Sequence, residues 1–126
     1  MNRKKDIKKR EDIIKLVDGF YEKIRADETI GPIFDQVAQT NWERHMPVMY
    51  DFWENVIFHT GLYSGNPMIA HQRVHALRPF TKDHFTRWLE LFRATLHEYF
   101  GGPNTELADQ RATSIATVMQ LKLEAY

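Results

Sequence analysis

Apolar side chains recur at three- and four-residue spacing along most of the chain, a period that predicts amphipathic helices. Over residues 11–27 the recurring set is Ile13, Ile14, Val17, Phe20, Tyr21 and Ile24, which puts Tyr21 on the face that turns inward. The Gly31-Pro32 pair breaks this pattern, and a short helical turn carrying Ile33, Phe34 and Val37 is expected to follow. Residues 41–58 hold a wider stripe of Trp42, Met46, Met49, Phe52, Trp53, Val56 and Ile57, with His45 on the same face and Asn41 placed as an N-cap. Pro47 interrupts this stretch, so the regular helix is expected to begin near it or to bend there.

His59-Thr60-Gly61 should end that helix, and residues 61–67 have the turn-forming composition of a loop. Pro67 suits the first turn of a short helix running to about His75. After Arg78-Pro79, Thr81 is positioned to cap a long helix over residues 82–100, whose inward stripe is Phe85, Trp88, Leu89, Phe92, Leu96 and Tyr99. Gly101-Gly102-Pro103 terminates it, and a last helix over residues 105–124 buries Ala108, Ala112, Ile115, Ala116, Met119 and Leu123. The pattern is all-α, with six or so helices, short connections and no internal repeat.

Composition narrows the function. A chain of 126 residues suits a single domain over residues 1–126, and with 43% hydrophobic and 13% aromatic residues it can build a packed core. Lys plus Arg equals Asp plus Glu at 17 each, so the basic footprint of a nucleic-acid binder is missing. There is no cysteine, which excludes disulfides, thiol nucleophiles, thiolate-bound zinc and iron–sulfur clusters; any metal must take histidine or oxygen ligands. The N-terminus has no signal-peptide core and no apolar run reaches membrane-spanning length, so a cytoplasmic protein is expected. The basic cluster at residues 3–10 reads as an N-terminal extension, a solvated helix start or frayed end without a role.

The residues with chemistry to offer are few. His71 and His75 stand one helical turn apart and project from one face. Such a pair can be surface decoration. It can be half of a zinc clamp, although no HExxH pattern accompanies it. Or one imidazole can be the axial ligand of a haem iron. Tyr21 is either a core tyrosine or a hydroxyl aimed into a cavity, and His45 either a structural histidine or a gate or ligand. The aromatic stripe around Trp88 is either plain core or a cofactor wall.

Taken together, these residues form a familiar series. Phe20 to Arg25 is followed by Ile30-Gly31-Pro32-Ile33-Phe34, then by His45 with Met49-Tyr50-Asp51-Phe52-Trp53. Next come Tyr63-Ser64-Gly65-Asn66-Pro67-Met68, with His71 four residues after the proline, and then His84-Phe85, Arg87-Trp88-Leu89 and Leu91-Phe92. In this order and spacing, from Asp12 to the C-terminus, the chain resembles the truncated haemoglobins, and among them the third group. The paired-glycine motifs of the other groups are missing, as the third group implies.

The resemblance implies a globin-like two-over-two helical sandwich around haem b, iron protoporphyrin IX. It makes His71 the proximal iron ligand, with His75 as the alternative because the segment between His71 and Trp88 is longer than in many relatives. Tyr21, His45 and Trp88 become the distal set, and Phe34, Met49, Phe52, Trp53, Met68, Phe85 and Phe92 the pocket lining. His45 has three open roles: hydrogen bond to the ligand, gate, or iron ligand in the unliganded state. The implied partner is a diatomic gas (dioxygen, carbon monoxide or nitric oxide), with an unidentified reductase supplying electrons. Redox or detoxification chemistry, such as peroxidase-like turnover or oxidation of nitric oxide, is expected rather than bulk oxygen delivery. A haem-based gas sensor and a haem-free helical interaction module are the alternatives.

Overall fold

The computed structural model describes residues 4–61, 63, 65 and 67–124, apart from the side chains of residues 67–70 and 124. Its helices are α1 (Arg10–Ala26), α2 (Trp42–Phe58), α3 (Pro67–Leu77), α4 (Lys82–Tyr99) and α5 (Pro103–Glu124), with a π-helical turn at Ile33–Val37. None of the described helices is long and apolar enough to cross a membrane.

α1 packs on α2, and α4 on α5; the two pairs then stack, α1 against α4 and α2 against α5, while α3 packs on α5. This is the two-over-two arrangement. Its core holds the fully buried Ile13, Leu16, Val17, Phe20 and Ile24 of α1 against Phe92 and Leu96 of α4, with Trp53 and Ile57 of α2 beside them. Close approach of α1 to α4 depends on Gly19, where an added Cβ would stand 3.1 Å from the Thr95 methyl and 2.9 Å from the Tyr99 ring. Asp27 and Arg87 join the end of α1 to α4 at 2.7 Å, and Arg93 joins α4 to Asp109 of α5 at 3.0 Å. Ion pairs with one partner in solvent add little, so packing carries the fold.

Two local expectations are corrected. Asn41 caps α2 as expected, its side chain accepting from the Arg44 N–H at 3.3 Å. Yet α2 runs unbroken through Pro47 rather than starting there. Pro47 and Glu43, whose carbonyl loses the hydrogen bond that proline cannot donate, are both exposed, so water can serve that carbonyl.

The basic N-terminal segment is neither frayed nor fully solvated. Ile7 is completely buried. The Asp6 carboxylate accepts from the backbone N–H of Asn104 (2.9 Å) and Thr105 (2.8 Å) and from the Thr105 hydroxyl (2.8 Å), capping the start of α5. Gly102 lies at φ +133°, where a Cβ would strike Asp6 at 2.7 Å. Partial burial pushes the Asp6 carboxyl up, but the Asn104 and Thr105 donors outweigh it and hold the group below its ordinary value. A carboxylate lowered in this way stabilises the fold above its unfolded-state pKa, and that contribution is lost as pH falls through the lower, folded-state value. Replacing Asp6 with Ala should cost about 1–3 kcal/mol in urea unfolding at neutral pH. The difference between variant and parent should shrink in strong acid; a difference that does not depend on pH would show that the carboxylate charge is irrelevant.

Candidate functional site

Between the two helix pairs lies a cavity of about 630 Å³, within the usual size of small-molecule and cofactor sites. It gathers Tyr21 from α1, Phe34 from the π-helical turn, His45, Met49, Phe52 and Trp53 from α2, His71 from α3, and Phe85 and Trp88 from α4. Residues that pattern and resemblance marked across more than sixty positions of chain thus face one space.

At one end, His45 sits in an aromatic cage. Its ring meets Tyr21 edge-on at 5.1 Å, Trp42 at 5.5 Å and Phe34 at 6.3 Å. Its Nε2 is buried without a hydrogen-bond partner, a costly state for a ring in the cavity wall. Burial, with a smaller contribution from His71, lowers the His45 pKa, so the ring is neutral at physiological pH. Tyr21 is 6% exposed, and burial drives its phenol well above the ordinary value; it is a permanent O–H donor. Trp88 adds an indole to the wall, with Phe20 edge-on at 5.6 Å and Phe92 stacked at 5.7 Å.

A second part of the site is organised by Phe80, whose ring stands 6.1 Å from His71, 5.7 Å from His75 and 6.3 Å from His84. The Phe80 backbone N–H donates to His75 Nδ1 at 2.9 Å. With Nδ1 an acceptor, neutral His75 carries its proton on Nε2, which leaves no lone pair there for a metal. His75 also lies outside the cavity lining, whereas His71 is part of it. His84 shares the same tautomer logic. Its Nδ1 accepts from the Thr81 N–H at 2.9 Å, so it caps α4 from within.

Not every expected lining residue is in the wall. Phe92 is fully buried one ring behind it, stacked between Trp53 (4.6 Å) and Trp88. The Met68 side chain lies outside the described residues. Conversely, Phe80, His84 and a face of α5 were not foreseen. Arg111, Ile115, Val118, Met119 and Lys122 all line the cavity. Their helical spacing was legible, but α5 also packs on α4 and buries Ala108 and Ala112, and the sequence pattern shows only one buried stripe per helix clearly. Arg111 and Lys122 are exposed, which places two cations at the margin of a mostly apolar space. Among the described residues no group of three or more His, Cys, Asp or Glu side chains gathers to hold a metal ion by itself.

The donor set fits a flat, acidic, iron-bearing tetrapyrrole. Aromatic walls suit its faces, the lining histidines His45, His71 and His84 offer the nitrogen chemistry of an iron ligand, and cations at the margin suit its carboxylates.

Comparison with known proteins agrees. The family model for bacterial-like globins matches residues 6–122. The group 3 truncated hemoglobin ctb of Campylobacter jejuni is 34% identical over 119 residues, covering 92% of this chain and 91% of that protein. The crystal structure of the group III truncated hemoglobin from Campylobacter jejuni superposes with a TM-score of 0.82 at 32% identity, over 95% of this chain and 94% of that one. The chain belongs to the bacterial-like globin family, as a truncated haemoglobin of the third group.

Proposed function

We propose that this protein holds haem b in the cavity between its helix pairs, with His71 as the axial ligand and Tyr21, His45 and Trp88 around the gas. Membership of the globin family supports the coarser statement, a haem-binding protein that binds gases. The observation that carries the finer reading is the cavity itself, which brings His71 to the same space as a buried phenol, an indole and an imidazole with an unpaired Nε2.

When bound, haem supplies an iron coordination position for a diatomic gas and shifts electron density onto it. The protein's part is to hold and stabilise. Tyr21 keeps its proton because burial disfavours the phenolate, so its hydroxyl always has a hydrogen to donate. Neutral His45 can donate or accept according to its tautomer. The surrounding rings exclude water, so each hydrogen bond to a charged acceptor is worth about 1.5–3 kcal/mol. Two such donors slow escape of dioxygen by roughly two to four decades. Slow escape suits redox or detoxification chemistry, in which a second reactant meets the held gas, better than delivery.

The test is the absorption spectrum of the purified protein in ferric and ferrous states, then under carbon monoxide and under oxygen. A histidine-ligated carbonyl spectrum with slow oxygen loss is expected. A folded, colourless protein that takes up no added haemin would overturn the reading and leave a helical interaction module.

A further inference from the structure

The outer side of the His45 cage is closed by side chains from three separate elements. Arg25, at the end of α1, lays its guanidinium 4.7 Å over the Trp42 ring. Its Nε stands 3.8 Å from Asp35 Oδ1 in the π-helical turn. The Trp42 indole N–H, at the start of α2, donates to that same oxygen at 2.9 Å. Trp42 is absent from the cavity wall but touches every ring of the cage behind it: stacked on Phe34 at 5.8 Å, and edge-on to Tyr21 at 5.6 Å and His45 at 5.5 Å. The turn that carries Phe34 is itself tied down, since the Thr40 N–H and hydroxyl both donate to the Phe34 carbonyl at 2.9 Å.

A buried imidazole nitrogen without a partner would turn toward water or a backbone group if its ring were free. The rings of Tyr21, Phe34 and Trp42 pack around His45 against that turn. The outermost of them, Trp42, is fixed by groups that are themselves half exposed: the Arg25 and Asp35 side chains are 52% and 40% accessible.

We propose that Arg25, Asp35 and Trp42 form a clasp that positions His45. Asp35 and Arg25 pin the Trp42 indole, and Trp42 holds the His45 ring against Tyr21 in the wall of the cavity. The proposal rests on the reading of that cavity end as the gas-binding side. Asp35 is the hinge of the arrangement, because one oxygen serves both the indole and the guanidinium.

Carbon monoxide bound to the haem-loaded protein is the probe, read by its C–O stretching band and by its association rate after flash photolysis. The parent should show one dominant band. Asp35→Ala should split it and raise the association rate by about 2- to 10-fold, the change expected when one modest hydrogen bond sets the closed population. Asp35→Glu should restore the parent band. Asp109→Ala, which removes an ion-pair partner between α4 and α5, should move neither readout. Trp42→Phe, keeping a ring but losing the N–H, supplies the same test should Asp35→Ala fail to fold. A parent-like band and rate in Asp35→Ala, or in Trp42→Phe in its place, overturn the clasp. His45→Leu separates the two levels. If it moves the band and the clasp variants do not, the clasp fails alone; if His45→Leu moves nothing, the gas-side reading fails with it.

Discussion

Replacing His71 with Gly should abolish the histidine-ligated haem spectrum and weaken haem retention by more than about 100-fold, whereas His75→Ala should leave both near parental. Loss of a residue that merely orients a metal ligand costs about 10–100-fold in affinity, so loss of the ligand itself must exceed that. The asymmetry between the two histidines is structural. Both sit on α3, one turn apart, but only His71 lines the cavity. His75 spends Nδ1 on the Phe80 N–H, which keeps its Nε2 protonated. Added imidazole should restore the axial spectrum in His71→Gly, because the glycine leaves room for a free ring. An unchanged spectrum in His71→Gly, or loss of ligation in His75→Ala, would reverse the assignment.

Tyr21→Phe should raise the dioxygen dissociation rate by about 10- to 150-fold, the kinetic equivalent of removing one donor worth about 1.5–3 kcal/mol. The substitution isolates the hydroxyl. The ring contacts with Phe20 (4.9 Å), Phe34 (5.9 Å) and Trp42 (5.6 Å) do not involve the oxygen, so the aromatic framework stays in place. Carbon monoxide draws less negative charge onto its outer atom, so its dissociation should change far less; the ratio of the two effects separates a lost hydrogen bond from a loosened pocket. Stopped-flow displacement of each gas gives both numbers. Equal effects on the two gases would mean that Tyr21 acts by packing.

How far the site was legible depended on the kind of signal. Tyr21, His45, Phe52 and Trp88 were marked by apolar periodicity and family spacing, and each does face the cavity. Periodicity tells which side of a helix turns inward but not how many layers lie between that side and a cavity, so Phe92 was placed in the wall and stands behind it. Composition misjudged the N-terminus for a related reason. Lys4, Lys5, Lys8 and Lys9 are exposed as their charge suggests, but Ile7 and Asp6 among them are tied to α5, nearly a hundred residues away. No local pattern reports a partner at that separation.

The sequence by itself determined the helices, because their period, caps and breakers act within a few residues: Asn41, Gly31-Pro32 and Gly101-Gly102-Pro103 stand at or beside the ends of the elements they were expected to bound. It also determined the chemical inventory, including the absence of any thiolate ligand. The tertiary structure alone decided which of two adjacent histidines faces the cavity, that α5 closes it with a second face, and that Asp35 stands under Trp42. These depend on how helices far apart in sequence cross and on where one backbone N–H finds its acceptor. Such long-range choices follow from packing the whole core at once, and they leave no periodic trace in any single segment.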